Sequence, residues 1–376
     1  MAIDRRGAMG LTAGAALLAA TARASAAGNP DPLKGRIVIN ALGGLGDPNH
    51  PADGLVPDIG PRVLAEAHAS GLTAVNVTIG YVSGPDDPFE SSVRDIAATD
   101  ALVRAHARDL TKIWSAADIR RAGADGKIGL IYGFQNGAMM GQDESRVDIF
   151  AGLGVRIFQL TYNPANQIGG GSMAPGNPGL SDFGRAVIAR LNANRVMVDL
   201  SHSGERTCLE AAAASTQPIS INHTGCRAVT DLPRNKTDAE LRMVAEKGGF
   251  IGIYFMPFLN PTGHATAQDV VAHIEHAIAL CGEDHVGIGT DGTVTQIDDL
   301  NAYRAVLAKE IEQRRAAGIS AAGERPDTYP FVVDLRGPDQ FRALARLLKA
   351  RGHGSARIDK IMGGNFLRHA ERIWGG

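Results

Sequence analysis

Val196-Met197-Val198-Asp199-Leu200-Ser201-His202 and, after one helical stretch, Ile219-Ser220-Ile221-Asn222-His223 decide the fold. Each is a short aliphatic, β-rich run that reads as a strand, and each ends on a histidine. Glu205–Ala214 between them has helical periodicity. A strand, a crossover helix and a second strand pair in parallel, so both strand ends open on the same edge of the sheet. His202 and His223 are therefore expected side by side.

The same unit repeats outward in both directions. Further strands are expected at Arg36–Asn40, Thr73–Ile79, Ile128–Gln135, Arg156–Tyr162, Phe250–Phe255 and Val286–Asp291. Helices are expected between them at Pro61–Ser70, Ser92–Leu110, Glu144–Leu153, Ser181–Asn192, Thr237–Lys247 and Ala267–Cys281. Ser181, Thr237 and Thr266 are placed to cap first turns, and Gly154, Gly248 and Gly282 to end last ones. Eight strands alternating with helices, without a domain break, predict an α/β chain closed as a (β/α)8 TIM barrel. An insertion is expected at about residues 297–337, with a helix over Asp298–Arg315, then Asp339–Arg351 as the last barrel helix and Arg357–Ile373 as a C-terminal helix.

Residues 1–26 read as an export signal and not as part of the fold: Arg5-Arg6 precede an apolar run from Ala8 to Ala20, and Ala24-Ser25-Ala26 is a small-x-small cleavage site. The paired arginines make the signal twin-arginine-type, so residues 27–376 are expected as a single periplasmic or secreted barrel domain. No other segment is long and apolar enough for a membrane span. A net charge of -2 gives no basic patch for nucleic acid, and no phosphate-binding or dinucleotide motif is present. Cys208, Cys226 and Cys281 are too few and too scattered for a disulfide framework and read as ordinary thiols.

The strand ends carry the chemistry. Neutral imidazoles at His202 and His223 suit a divalent metal, or they bind substrate directly. Asp291 ends the run Val286-Gly287-Ile288-Gly289-Thr290-Asp291 and can act as ligand, general base or partner for an ammonium group. Arg234, in the loop after His223, can grip a carboxylate bidentately. Gln135, Tyr162 and Tyr254 add hydrogen-bonding groups, and Tyr162 is expected as an acid with a lowered phenol pKa. The loop Ile168–Leu180 is expected as a lid hinged at Gly169, Gly170 and Gly171.

Several of these runs together resemble the renal (membrane) dipeptidase family, peptidase family M19. They are Val198-Asp199-Leu200-Ser201-His202, Asn222-His223-Thr224, Pro233-Arg234-Asn235, Leu160-Thr161-Tyr162-Asn163, His285 through Asp291, and Gly363-Gly364-Asn365-Phe366. The resemblance covers roughly residues 36–370 and implies a barrel of the metal-dependent hydrolase type that cuts dipeptides at a two-zinc centre. It implies that His202 and His223 bind the second zinc, that Arg234 holds the substrate carboxylate, and that Asp291 touches the first metal and handles the proton.

The departures fall on the metal ligands. Where the family has Asp-x-His-x-Asp, this chain reads Asn40-Ala41-Leu42-Gly43-Gly44. The family's bridging glutamate falls on Gln135, and a third histidine falls on Tyr162. The expectation is a hydrolase of a dipeptide or related amide with at most one weakly held zinc, or none. Its metal residues are His202, His223 and Gln135, its catalytic residues Asp291 and Tyr162, and its substrate contacts Arg234, Tyr254 and Asn163. A metal-free enzyme tailoring an amino-acid-derived metabolite and a non-catalytic binding protein are the alternatives. A homodimer is expected by analogy with such relatives.

Overall fold

The computed structural model describes residues 31–50 and 59–375; the expected export signal at residues 1–26 and part of the loop after the first strand lie outside them. The sheet runs β10-β1-β2-β4-β5-β6-β7-β8-β9, with every pair parallel. Its main strands are β1 (Ile39–Gly44), β2 (Ala74–Thr78), β4 (Ile128–Phe134), β5 (Val155–Gln159), β6 (Met197–Asp199), β7 (Ser220–Thr224), β8 (Phe250–Ile253) and β9 (Val286–Ile288). These are the eight that the sequence predicts, and they curl into a (β/α)8 barrel.

Closure is made by side chain and backbone together. The Asn40 amide donates to Thr290 Oγ1 at 2.8 Å and accepts from Thr290 N at 2.7 Å, while Asp291 N donates to Leu42 O at 2.9 Å. β1 runs further than expected because Gly43 and Gly44 pair with β10 (Gly292–Thr293).

Besides β10, a further strand and a helix were not expected. The helix after β2 spans Pro88–Ala105, and β3 (Leu110–Lys112) and a helix at Ala116–Ala124 follow it. β3 pairs with the first half of β4, where β5 has not yet joined. Three residues carry too little pattern to read as a strand. The helix does carry a signal, a Ser115/Asp118 capping box.

Inside the barrel, Ala41, Ala74, Ile131, Ile157, Met197 and Phe250 form an apolar floor. The C-terminal helix (Asn365–Trp374) seals it with Phe366, Ile373 and Trp374. A second core lies between strands and surrounding helices, where Val75, Leu130, Val198, Ile221 and Ile251 pack outward. Alternation along each strand sends every second side chain inward. Above the floor that alternation brings polar groups, Asn76, Asp199 and Asn222, and then the mouth. None of the described helices is long and apolar enough to cross a membrane.

Candidate active site

Tyr162, Asn163, His202, Arg234 and Asp291 line one cavity of about 330 Å³ at the strand ends. Asp199 sets the histidine end of it. Its Oδ1 accepts from Ser201 N and Asn222 N, both at 3.0 Å, and from the Ser201 hydroxyl, which in turn accepts from His223 N at 3.1 Å. These bonds lock the ends of β6 and β7 together and leave the two imidazole centroids 4.9 Å apart.

The hydrogen bonds of His202 fix its tautomer. Arg234 Nη2 lies 3.2 Å from His202 Nε2, and a guanidinium can only donate, so Nε2 accepts. Nδ1 then carries the hydrogen and donates to Asn163 Oδ1 at 2.8 Å. Burial, with the Arg234 charge second, holds His202 well below the usual histidine range, and the same two causes act on His223. Both rings are therefore neutral at neutral pH. His223 is fully buried behind His202 with neither ring nitrogen partnered, and it does not line the cavity.

Arg234 is delivered by the loop after β7. Asn235 Nδ2 anchors that loop to Thr230 O at 2.7 Å and Phe258 O at 2.9 Å. Next to it, Lys236 and Glu240 make a buried ion pair at 3.1 Å. The guanidinium is 2% exposed, donates to Ser201 O at 2.7 Å and sits 5.9 Å from the Tyr254 ring centroid. Among the described residues no carboxylate pairs with it.

Asp291 adopts a left-handed backbone, φ 58°, which is unusual outside glycine though aspartate tolerates it. Burial pushes its carboxyl up to about 6, with Arg234 and then Arg314 pulling the other way. Such a carboxylate is a base poised near neutral pH.

Tyr162 stacks on His202 with centroids 4.2 Å apart. The expectation of a lowered phenol pKa is overturned: burial, and then Asp291, push it up to about 12. It stays protonated and can serve as a hydrogen-bond donor. Tyr254 is also corrected. It is fully buried, its hydroxyl donates to Asn235 Oδ1, and it does not line the cavity, so it backs Arg234 and does not touch substrate. Asn163 does line the cavity, but its amide is committed to His202, to Ser172 Oγ at 3.0 Å and to Ile319 O at 2.8 Å.

The expected lid is packed in place. Gly169 bridges to Leu180 and Gly171 to Ser203, and a Cβ on Gly171 would collide with the carbonyl oxygens of Tyr162, Asn163 and Pro164. These glycines serve close approach, not hinging. The far wall was not foreseen. It comes from the insertion and the segments beside it: Thr295, Arg314, Glu324, Phe331, Arg336 and Gln340. Sequence periodicity finds the helix at Leu300–Ala316 but does not say that it folds back over the mouth.

The sequence pattern of the membrane dipeptidase family, peptidase family M19, matches residues 61–320. The chain belongs to this family. Among curated relatives, the uncharacterized protein in the pqqA 5′ region of Klebsiella pneumoniae is 30% identical over 303 residues, covering 78% of this chain and 99% of that one. Dipeptidase tcpJ of Claviceps purpurea is 30% identical over 224 residues, covering 57% of this chain and 51% of its own length. Of solved structures, an amidohydrolase from Pseudomonas aeruginosa superposes with a TM-score of 0.78 at 31% identity, covering 92% of this chain and 100% of that one.

M19 membership implies a zinc centre, and the donors here do not compose one. A catalytic zinc takes roughly three protein ligands plus water. Among the described residues no group of three or more His, Cys, Asp or Glu side chains is placed to hold an ion. The His202 Nε2 lone pair is taken by Arg234, whose positive charge opposes a cation there. Gln135 donates to Thr78 Oγ1 at 2.6 Å and lies off the cavity. Leu42 and Gly44 offer no side-chain donor. Of the expected metal set of His202, His223 and Gln135, His223 alone keeps its ring nitrogens unpartnered among the described residues.

Proposed function

We propose that the protein hydrolyses a small dipeptide-like amide with its own side chains. One observation carries this reading: Arg234, a buried guanidinium without a carboxylate partner among the described residues, lines the same cavity as Asp291, a carboxyl poised near neutral pH. A substrate carboxylate seats on Arg234. Asp291 takes a proton from water as its oxygen adds to the amide carbon, and Tyr162 donates a hydrogen bond to the carbonyl oxygen as it gains charge. The proton on Asp291 then passes to the leaving nitrogen as the C–N bond breaks. The test is incubation of the purified protein with a dipeptide panel, followed by mass spectrometry. Release of free amino acids by wild type and not by Asp291→Asn supports the reading, and an inert panel sinks it.

A second reading is an acid–base enzyme tailoring an amino-acid-derived metabolite, or a binding protein, in the same barrel. It is favoured by Leu42 and Gly44, which stand on β1 where the family's first-metal ligands would be and whose backbones are committed to barrel closure instead. We further propose export through the signal at residues 1–26 to the periplasm or beyond, and a homodimer. Cell fractionation and sedimentation test these two points.

A further inference from the structure

Once a substrate carboxylate has been placed on Arg234, one guanidinium lining the cavity is still without an ion-pair partner among the described residues. Five ionisable side chains of clear sign line the space: Arg234, Arg314, Arg336, Asp291 and Glu324. Arg314 donates to Glu324 Oε1 at 2.6 Å, which leaves Glu324 Oε2 buried without a partner among the described residues, and Arg314 also approaches Glu310 at 3.6 Å. Arg336 has no such partner. Its Nη1 donates to Val333 O at 2.6 Å, its Nε is enclosed without an acceptor, and among the described residues it makes no ion pair.

A second orphan group lines the same cavity. Thr295 lines the cavity, is 3% exposed, and its hydroxyl has no hydrogen-bond partner. Its neighbour Gln296 lies against Gly337, the residue after Arg336, so the two segments that carry the hydroxyl and the guanidinium meet beside the cavity both residues line. A buried donor left unpaired is costly, as is a cation without a counter-charge. An anionic ligand group at this wall supplies both with an acceptor.

Resting on the reading of Arg234 above, we infer that Arg336 and Thr295 form a second anion subsite, and that the substrate carries two acidic groups, both held in this cavity. In dipeptide terms this is a substrate with an acidic side chain besides its terminal carboxylate. Asp291 lies in the same cavity and handles the reacting bond.

The probes are linear dicarboxylates from succinate to suberate, each against the monocarboxylate of equal length, read as thermal stabilisation and by calorimetric titration of the full chain. At least one diacid is expected to bind wild type about tenfold more tightly than its monoacid, the usual worth of one charge-assisted hydrogen bond. In Arg336→Gln that ratio is expected to collapse to about one, the loss of the same bond. Arg336→Lys retains part of it by keeping the charge, and Thr295→Val lowers it.

No preference for any diacid in wild type overturns the inference, as does a preference that survives in Arg336→Gln. Tighter binding of ω-amino acids than of diacids also overturns it, by assigning this wall to the free oxygen of Glu324. Failure of the protein to cut any dipeptide removes the hydrolase reading and leaves these binding ratios standing.

Discussion

Arg234 and His202 are bonded to each other: the guanidinium donates to Nε2 across 3.2 Å, with Ser201 O taking the second N–H at 2.7 Å. A position where a metal would draw on an imidazole lone pair is filled instead by a fixed positive charge. A carboxylate entering the cavity meets that charge already oriented and desolvated, which strengthens the attraction.

Replacing Arg234 by Met keeps much of the stem and removes the charge. Affinity for carboxylate ligands is expected to fall roughly 10- to 100-fold, the loss of one or two charge-assisted hydrogen bonds. Calorimetric titration checks this; unchanged affinity would remove Arg234 from the binding site.

Purified protein, dialysed and analysed by plasma emission, is expected to hold far less than one zinc per chain, and chelator treatment is expected to leave its activity and melting temperature unchanged. One or two equivalents of retained zinc would show that His202 gives up Arg234 for a metal.

For Asp291, kcat/KM is expected to rise with pH through about 6 as the carboxyl ionises, and Asp291→Asn to abolish that limb. Asparagine also tolerates the left-handed backbone there. The stability effect has the opposite sign. Between the ordinary carboxylate value of 3.8 and about 6, the folded protein holds a proton that the unfolded chain has lost, so wild-type stability falls as pH rises through that window. The asparagine variant escapes this loss and should exceed wild type above pH 6 by on the order of 1 kcal/mol, measured by denaturant unfolding.

Tyr162→Phe deletes a donor whose pKa of about 12 keeps it protonated. Activity should fall about 10- to 100-fold if it bonds the carbonyl oxygen only in the transition state. The wild-type pH profile should show no descending limb before pH 10 from this group. Full activity in the phenylalanine variant removes Tyr162 from the reaction.

Lys236→Met leaves Glu240, 1% exposed, without its ion-pair partner. Breaking a buried pair from one side costs about 3–5 kcal/mol. Thermal unfolding should show a loss of that order, while the double variant Lys236→Met/Glu240→Gln recovers much of it.

The eight barrel strands were legible because each is an aliphatic run bounded by turn residues, and most of the helices between them were legible from caps such as Thr237 and Thr266. The strand Leu110–Lys112 was not, since its pairing with β4 is set by a partner and not by its own pattern. His202, Arg234 and Asp291 were expected together, and they line one cavity because strand ends and the loop after β7 carry them there. Tyr254 misled because strand alternation alone does not separate a residue that faces the cavity from one that supports it.

From its sequence alone this chain is determined to be a parallel barrel of the membrane dipeptidase family with most of the usual zinc ligands replaced, because periodicity and residue identity are local properties. Tertiary structure alone decided that His202 accepts from Arg234, that Tyr162 holds its proton, and that Arg336 and Thr295 from distant segments complete the cavity. Burial and charge at each of those groups come from neighbours far away along the chain, and they settle which nitrogen accepts, which proton stays and which cation lacks a partner.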